Sequence, residues 1–162
     1  MLKHLRELVE QRASFAFEST LSARSYAPWI RRLRKPGYAF HLLYLWLDNA
    51  DLAVQRVSER VRAGGDHLPE PTIRRRYQRG IRNVFDLYQA LADSWAVYDN
   101  SSGAHPELIG RGGGRLAPTV YRPDLWFEPM PGSHVFRGGD LGVSASCVSR
   151  HEGPRVDSNS GH

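Results

Sequence analysis

The spacing of hydrophobic positions predicts a chain that alternates between helices and strands. Leu2, Leu5, Leu8 and Val9 recur on one helical face, and the short apolar run "SFAF" that follows suits a strand. The run "YAFHLLYLWL", residues 38–47, is almost continuously apolar. Such a run is typical of a strand that is buried on both faces of a parallel sheet. The N-terminal quarter therefore predicts a helix followed by core strands.

The middle of the chain predicts three further helices and another strand. The stretch "RSYAPWIRRLRK", residues 24–35, has helical spacing and is closed by Pro36 and Gly37. Asp48 or Asn49 can cap the next helix, which Gly64 and Gly65 end. A long helix with an apolar stripe from Ile73 to Leu91 follows, and then a short strand, "SWAVYDN". This alternation predicts an α/β fold with right-handed parallel crossovers, flanked by helices.

The pattern changes after Asn100. The stretch "LIGRGGGRLAPTVYRP" can hold one or two edge strands, and "GRGGGR", residues 110–115, is interpreted as a glycine-rich turn between them. It lacks the GxxxxGK[ST] spacing of a phosphate loop. Residues 128–162 are rich in Gly, Ser, Pro and His without periodicity, which predicts a disordered tail. The expected organisation is a core domain over residues 1–127 and a disordered or unrelated tail over 128–162.

The amino-acid composition says more about the binding partners of the protein than about its fold. The chain has 162 residues and a formal net charge of +5, which favours an anionic partner. One cysteine, Cys147, cannot form an intramolecular disulfide, and the seven histidines show no metal-ligand spacing, so no metal site is expected. No apolar run is long enough to span a bilayer, and we expect a soluble, cytoplasmic protein without a membrane partner.

Glu18 is the first candidate for chemistry. It follows the predicted strand "FAF" and precedes a hydroxyl-rich turn that contains Thr20 and Ser22. Ligands of open parallel sheets bind beyond the carboxyl ends of the strands, where a carboxylate could accept a substrate hydroxyl. The alternative is that Glu18 caps the following helix. Asp93, Asp99 and Asn100, beside the last core strand, are interpreted as turn residues.

A set of arginines surrounds the loop "AGGDHLPEP". Arg60 and Arg62 precede it, and Arg74, Arg75, Arg76, Arg79 and Arg82 follow it. A glycine-flanked loop that carries arginines can bring cations onto a transferred phosphoryl group. The same residues could bind a nucleic-acid backbone or form only a solvated helix face. His67 in the loop is interpreted as polar surface.

The chain resembles the zeta-toxin-like predicted ATPases, a branch of the P-loop kinases. The resemblance rests on "FAFESTLS", "YAFHLLYLWL", the block from Asp51 to Tyr88, and "WAVYDNS" followed by "PELIGRGGG", and covers roughly residues 1–127. It implies an ATP-dependent and Mg²⁺-dependent kinase acting on a small-molecule hydroxyl, such as that of a UDP-sugar. It also implies a catalytic and substrate-binding role for Glu18, substrate contacts from Thr20 and Ser22, and a phosphate-binding lid. The implied lid arginines are Arg60, Arg62, Arg74, Arg75, Arg76 and Arg79.

The chain departs from this family at its start. Family members open with a strand, a Walker A loop and a catalytic aspartate, whereas no GxxxxGK[ST] pattern occurs in these 162 residues. The chain is thus expected to correspond to the C-terminal two-thirds of an incomplete P-loop kinase-like parallel sheet, inactive by itself. A nucleotide, a hydroxyl-bearing substrate and an antitoxin protein are the partners that the resemblance implies, and nucleic acid is not among them. The alternatives are a non-catalytic basic protein that binds nucleic acid or an acidic partner, and a degenerate gene product.

Overall fold

A computed structural model describes residues 2–103, 105–113, 116–126 and 143–150. The strands are β1 (Phe15–Ser19), β2 (Tyr38–Trp46), β3 (Ser94–Asp99), β4 (Glu107–Gly113), β5 (Leu116–Val120) and β6 (Val143–Arg150). The helices are α1 (Leu2–Glu10), α2 (Tyr26–Leu33), α3 (Ala50–Arg62), α4 (Glu70–Asn83) and α5 (Gln89–Leu91), with a π-helical turn, Val84–Tyr88, between α4 and α5. The alternating order of helices and strands that the sequence predicts is confirmed up to β3.

The described strands form one six-stranded sheet in the order β1-β6-β2-β3-β4-β5. Only β2 and β3 are hydrogen-bonded neighbours in parallel orientation, and the other four pairs are antiparallel. The predicted α/β class with flanking helices is confirmed, and parallel pairing is confirmed for β2 and β3. The prediction of a parallel sheet is wrong for the other described pairs, so the sheet is mixed. The short connections from β3 to β4 and from β4 to β5 explain the difference, because a parallel pair needs a crossover of a dozen or more residues.

The prediction of a disordered tail over 128–162 is wrong for residues 143–150. These residues form β6, which pairs antiparallel with β1 on one side and with β2 on the other. The sequence "VSASCVSR" lacks the apolar alternation of an isolated amphipathic strand. Backbone hydrogen bonding to two flanking strands stabilises it in the sheet. The rest of that predicted tail lies outside the described residues.

The main hydrophobic core lies on one face of the sheet. Phe15 and Phe17 of β1 pack against Trp29 of α2, and alternate residues of β2 are buried on the same face. On the opposite face of β2 the side chains are half-buried, and Leu43 is 37% exposed. The prediction that β2 is buried on both faces is thus wrong: within the described residues, its apolar run covers one packed face and one open face.

A second cluster joins α3 and α4 at the carboxyl end of β2. Leu47 packs there with Ala50 and Ala53 of α3 and with Ile73 and Tyr77 of α4. The Tyr77 hydroxyl donates a hydrogen bond to the Leu47 carbonyl at 3.2 Å. The two helices are thereby held at the end of the sheet where strand-end chemistry is expected.

The predicted ends of α3 are confirmed. The Asn49 side chain accepts a hydrogen bond from the Leu52 N–H at 2.8 Å, as an N-cap does. At the other end, Gly65 N–H donates to the Arg60 carbonyl and Gly64 N–H to the Val61 carbonyl. This is the Schellman arrangement, and Gly64 supplies its required left-handed residue with φ of 95°.

The two edge strands that the sequence allows after Asn100 are confirmed as β4 and β5. The predicted glycine-rich turn between them is wrong for Gly110 to Gly113, which lie within β4, and residues 114 and 115 of that prediction lie outside the described residues. A Cβ at Gly112 would come within 2.7 Å of the Trp95 indole, and one at Gly110 within 2.9 Å of Trp126. The two indoles stack with centroids 5.5 Å apart. Glycine is therefore required at these two positions, because a tryptophan ring lies against the strand at each of them. The role of the two glycines is in packing.

Asp93 and Asp99 have the turn roles that the sequence predicts. Asp93 accepts hydrogen bonds from the Arg34 guanidinium at 2.9 Å and from the Phe40 N–H at 2.8 Å, which ties the start of β3 to α2 and β2. Asp99 accepts from the Ser101 N–H and hydroxyl at the other end of β3. Both aspartates thereby fix the ends of the parallel pair.

Replacing Asn49 with alanine removes the side-chain acceptor from the start of α3. We expect the free energy of unfolding to fall by about 1 kcal/mol, the usual cost of losing an N-cap. Asn49→Ser is the matched control, because a serine hydroxyl can still cap the helix. Its free energy of unfolding should fall by only a few tenths of the loss expected for Asn49→Ala. Urea denaturation of the purified variants measures both. Equal losses for the two variants would contradict the capping role.

Candidate functional site

The turn that follows β1, residues 20–23, is the centre of the candidate site. Leu21 is fully buried and has a left-handed backbone with φ of 50°, which is uncommon for a leucine. Its N–H donates to the Ser19 hydroxyl at 3.1 Å. The hydroxyls of Thr20 and Ser22 lie 3.0 Å apart and share a hydrogen bond. The turn therefore holds two predicted site hydroxyls together, on a backbone that its surroundings must stabilise.

The helical segment from α4 to α5 supplies that stabilisation. The Asn83 amide, almost fully buried, donates a hydrogen bond to the Leu21 carbonyl at 2.8 Å. The Tyr88 hydroxyl donates to the Ala23 carbonyl at 2.5 Å. Gly80 lies directly against the Thr20 carbonyl, with no room for a Cβ. We call these three contacts the turn clamp.

The π-helical turn explains how Asn83 and Tyr88 reach the same segment. In an α-helix, residues five apart point about 140° away from one another. The i→i+5 hydrogen bonding of a π-helix winds the backbone more loosely and brings residues five apart nearly into line. Residues 84–88 have this winding. The inserted π turn therefore lets both side chains of the clamp donate to the turn after β1.

Glu18 lies inside β1 with its side chain exposed. Phe17 packs into the core against Tyr26 and Trp29, so its neighbour Glu18 faces the opposite side of the strand. Among the described residues, no hydrogen bond or ion pair joins Glu18 to the hydroxyl pair. The alternative that Glu18 caps a helix is wrong, because α2 begins only at Tyr26. The carboxylate thus faces solvent within a residue or two of the turn.

The arginines of α4 lie at increasing angles from Gly80. At about 100° per residue, Arg76 lies about 40° around the helix from Gly80, and Arg79 about 100° away in the same sense, toward Asn83. Arg75 lies about 140° away in that sense, about 40° beyond Arg79. All three side chains are exposed, and no ion pair of theirs occurs among the described residues. Arg76 is therefore nearest the clamped turn, Arg79 is next, and Arg75 is the farthest of the three.

The remaining predicted lid arginines lie elsewhere. The Arg74 guanidinium pairs with Asp51 at 2.5 Å and with Glu70 at 2.8 Å, and these hydrogen bonds raise its pKa. Arg74 therefore joins α4 to the start of α3. Arg60 and Arg62 are exposed at the opposite end of α3, about 14 Å or more along the axis from Asp51. The structure thus brings Arg76 and Arg79, but not Arg60, Arg62 or Arg74, to the side of α4 that meets the turn.

The carboxyl ends of β2 and β3 are joined by a network of hydrogen bonds. The Arg56 guanidinium donates to the Asn100 carbonyl at 2.5 Å, and the Asp48 N–H donates to the Ser101 hydroxyl at 2.8 Å. Since Asp99 also accepts from Ser101, its carboxylate is already engaged in the turn. Among the described residues, no group of three or more His, Cys, Asp or Glu side chains is placed to hold a metal ion.

The clamp residues were not predicted from the sequence, although one signal was present. A glycine inside a helical pattern, as at position 80, costs about 1 kcal/mol relative to alanine and commonly marks a close approach of another segment. Asn83 lies beside Val84 within an apolar stripe, where a buried amide needs a partner. The phase shift of the π turn gives no recognisable sequence pattern. His67, interpreted as polar surface, is exposed in the loop before α4.

Gly80→Ala should destabilise the protein, even though alanine is the better helix former. The added Cβ would meet the Thr20 carbonyl, so the turn or the helix must shift, and we expect a net loss of about 1 kcal/mol or more in the free energy of unfolding. Gln78→Ala, at an exposed position of the same helix, is the control and should be neutral or slightly stabilising. Urea denaturation distinguishes them. A stabilised Gly80→Ala variant would contradict the close contact.

Tyr88 should make stability depend on pH in the alkaline range. Burial raises the pKa of its hydroxyl from 10.0 to about 12, so between these values the unfolded state loses the proton first. The Tyr88 contribution is therefore complete below pH 10 and declines as the pH rises toward 12. Tyr88→Phe removes this term, so its stability curve should be flatter there than that of the wild type. Urea denaturation at several pH values measures the free energy of unfolding of both proteins. Equal decreases for the wild type and Tyr88→Phe between pH 10 and 12 would contradict the raised pKa of Tyr88.

Comparisons with known proteins identify one partial relative. An uncharacterised protein of Haemophilus influenzae is 29% identical over 69 residues, which is 43% of this chain and 49% of that protein. The chain thus spans about half the length of the curated relative that it matches. No protein-family model matches the chain, and no solved structure matches it. Within the described residues, none of the helices combines the length and apolar character needed to cross a bilayer.

Proposed function

We propose that the clamped turn after β1, together with α4, binds the phosphate groups of a nucleotide or a phosphorylated small molecule. The single observation that carries this proposal is the pairing of the Thr20 and Ser22 hydroxyls, 3.0 Å apart, on the turn that Gly80 and Asn83 of α4 hold. The same helix presents Arg76 and Arg79 on the flank next to that turn. Hydroxyl donors and guanidinium groups on one rigid frame are a suitable environment for phosphate oxygens.

The charges and donors fit an anion in complementary ways. Each hydroxyl can rotate to donate to a phosphate oxygen, at the cost of their mutual hydrogen bond. Arg76 and Arg79 are exposed and can swing toward the turn, and a guanidinium can bind two phosphate oxygens at once. The turn supplies fixed donors and α4 supplies mobile cations. A ligand would therefore become ordered by contacts from both elements.

Glu18 would act on a different part of the same ligand. Its exposed carboxylate cannot bind phosphate, but it can accept a hydrogen bond from a sugar or other hydroxyl. This is the role that the resemblance to the zeta-toxin-like kinases implies. On this proposal, the chain belongs to a kinase that transfers a phosphoryl group from ATP to a small-molecule hydroxyl, and Glu18 orients the acceptor.

The described residues are better suited to binding phosphate groups than to forming a dedicated magnesium site. Asp99 is engaged with Ser101, and no set of three carboxylate or imidazole ligands converges among the described residues. Mg²⁺ is commonly held by nucleotide phosphates and water with only one or two protein carboxylates. When bound with ATP, it would neutralise phosphate charge. The sequence has no Walker A loop to cradle the β- and γ-phosphates, so for these 162 residues we propose binding rather than unaided transfer.

A second candidate is a basic surface for nucleic acid or an acidic protein such as an antitoxin. The exposed guanidiniums of Arg75, Arg76 and Arg79, without ion pairs among the described residues, favour it. A polyanion would contact all three arginines along α4, whereas a small ligand at the turn would contact Arg76 and Arg79, the two nearer Gly80. It would also bind with steep salt dependence and without selectivity for a nucleotide.

Thermal-shift titration of the full chain with Mg-ATP, with polyphosphate as the charge control, tests the proposal. We expect a saturable rise in Tm that is larger for Mg-ATP, corresponding to about 2.7 kcal/mol at a ligand concentration 100 times Kd. Arg76→Ala should weaken binding about tenfold, since one charge-assisted hydrogen bond is lost. Arg62→Ala removes the same charge from the exposed end of α3, away from the turn, and should leave Kd unchanged.

Each other outcome has a definite meaning. Equal shifts with Mg-ATP and polyphosphate, with equal losses in both arginine variants, would favour the basic polyanion surface and overturn the nucleotide site. The absence of any shift with either ligand would contradict both candidates.

A further inference from the structure

The net positive charge of the chain is concentrated in one segment. Residues 19–47 contain no aspartate or glutamate, and their lysines and arginines are Arg24, Arg31, Arg32, Arg34 and Lys35. The whole chain has 22 lysines and arginines and 17 acidic residues. The 17 basic residues outside this segment therefore equal the acidic residues in number, and the segment accounts for the formal net charge of +5.

The packing of α2 directs these charges away from the core. The buried residues of the helix are Ala27, Trp29, Ile30 and Leu33, and the Trp29 ring packs against β1. All five basic residues of the segment are exposed. Ser25 and Arg34, which flank α2, also have helical φ and ψ angles, so the winding of the helix extends beyond both of its ends. We call the exposed side of residues 24–35 the basic face.

Four of the five cations have no ion pair among the described residues. Arg34 is the exception, because its guanidinium donates to the Asp93 carboxylate at 2.9 Å and to the Leu91 carbonyl at 2.8 Å. Arg31 and Lys35 are four residues apart, a spacing at which like charges repel each other on a helix. A bound anion would relieve this repulsion, so the basic face is suited to an anionic ligand.

The spacing of the unpaired cations matches a regular line of phosphates. At about 1.5 Å per residue, Arg24 lies about 10.5 Å along the helix axis from Arg31, and Lys35 lies about 6 Å beyond Arg31. One strand of duplex DNA carries a phosphate about every 3.4 Å along its axis, so the two intervals correspond to about three and two phosphate steps. Separations of seven and four residues also place the three side chains on one side of the helix.

The basic face has no large hydrophobic side chain that could anchor a protein or a membrane. Among the described residues, the exposed large hydrophobic side chains are Leu43 and Tyr121, and neither belongs to residues 24–35. Protein interfaces depend on a few buried anchors, commonly aromatic, and a helix that lies on a membrane inserts apolar side chains into it. Interfaces with DNA are more polar and much more positively charged. Nucleic acid is thus the anionic partner that the basic face fits.

We propose that the basic face binds the phosphate backbone of double-stranded DNA, independently of base sequence. Arg24, Arg31 and Lys35 each contact a phosphate of one strand, and a guanidinium can bind two phosphate oxygens at once. This surface lies on α2, so it is separate from the nucleotide site proposed for the turn and α4. Its affinity comes mainly from the release of counterions from the DNA, and the affinity therefore falls steeply as salt is added.

Fluorescence anisotropy of a labelled DNA duplex, titrated with the full chain at several salt concentrations, tests the proposal. Three phosphate contacts predict that the affinity falls about 40-fold between about 50 and 200 mM salt. Arg31→Gln combined with Lys35→Gln removes two of these contacts, so the decrease over the same range should be only about threefold to fourfold. Both side chains are exposed, so the Tm of this double variant should equal that of the wild type.

Arg60→Gln combined with Arg62→Gln is the matched control, because it removes two charges from the exposed end of α3. This variant should keep the affinity and the salt dependence of the wild type. Equal weakening in both double variants would show that only the net charge matters, and unchanged binding in the α2 variant would place the DNA elsewhere on the chain. Either result would overturn the proposal, as would the absence of binding at low salt. Competition by polyglutamate as strong as that by unlabelled duplex would overturn it in favour of an acidic protein partner.

Discussion

The structure depends on holding a left-handed leucine turn at the end of β1. Leu21 has a positive φ and is fully buried, a combination that a leucine adopts only when its surroundings compensate for it. Asn83 and Tyr88 donate hydrogen bonds to the turn, and Gly80 lets α4 approach its backbone. These contacts join β1 to a helix more than sixty residues away in sequence. Because they also orient the Thr20 and Ser22 hydroxyls, the same constraint connects the fold with the proposed phosphate site.

Strand β6 is the second constraint, and it acts along the length of β1. Strand β1 is held at its carboxyl end by the turn clamp and along its length by β6. Because β6 also pairs with β2, it connects β1 with the other described strands of the sheet. Loss of β6 would therefore loosen the strand that carries Glu18 while the turn stayed attached to α4.

Sequence signals that act over a few residues predict individual strands and helix ends. They do not predict contacts between segments that are far apart in the sequence. The apolar run of β2, the Asn49 cap and the glycines that end α3 each act within a few residues, so their structures follow directly from the pattern. The direction of β6 depends on strands more than a hundred residues away, and its serine-rich sequence gives no periodic signal. The clamp needs the phase shift of a π turn, which no propensity scale indicates. The positions of Thr20 and Ser22 in a hydroxyl turn could be predicted, but the separation of Arg76 from Arg75 required the contact between Gly80 and Thr20.

Backbone amide chemical shifts during a titration with Mg-ATP test the central claim most directly, because they locate the ligand residue by residue. If the clamped turn and α4 form one phosphate site, the signals of residues 19–23 and of Arg76, Arg79 and Gly80 should move together and saturate at one Kd. The signals of Arg60 and Arg62, at the end of α3, should move much less. Shifts confined to the end of α3, spread evenly along both sides of α4, or absent from the turn would contradict the account.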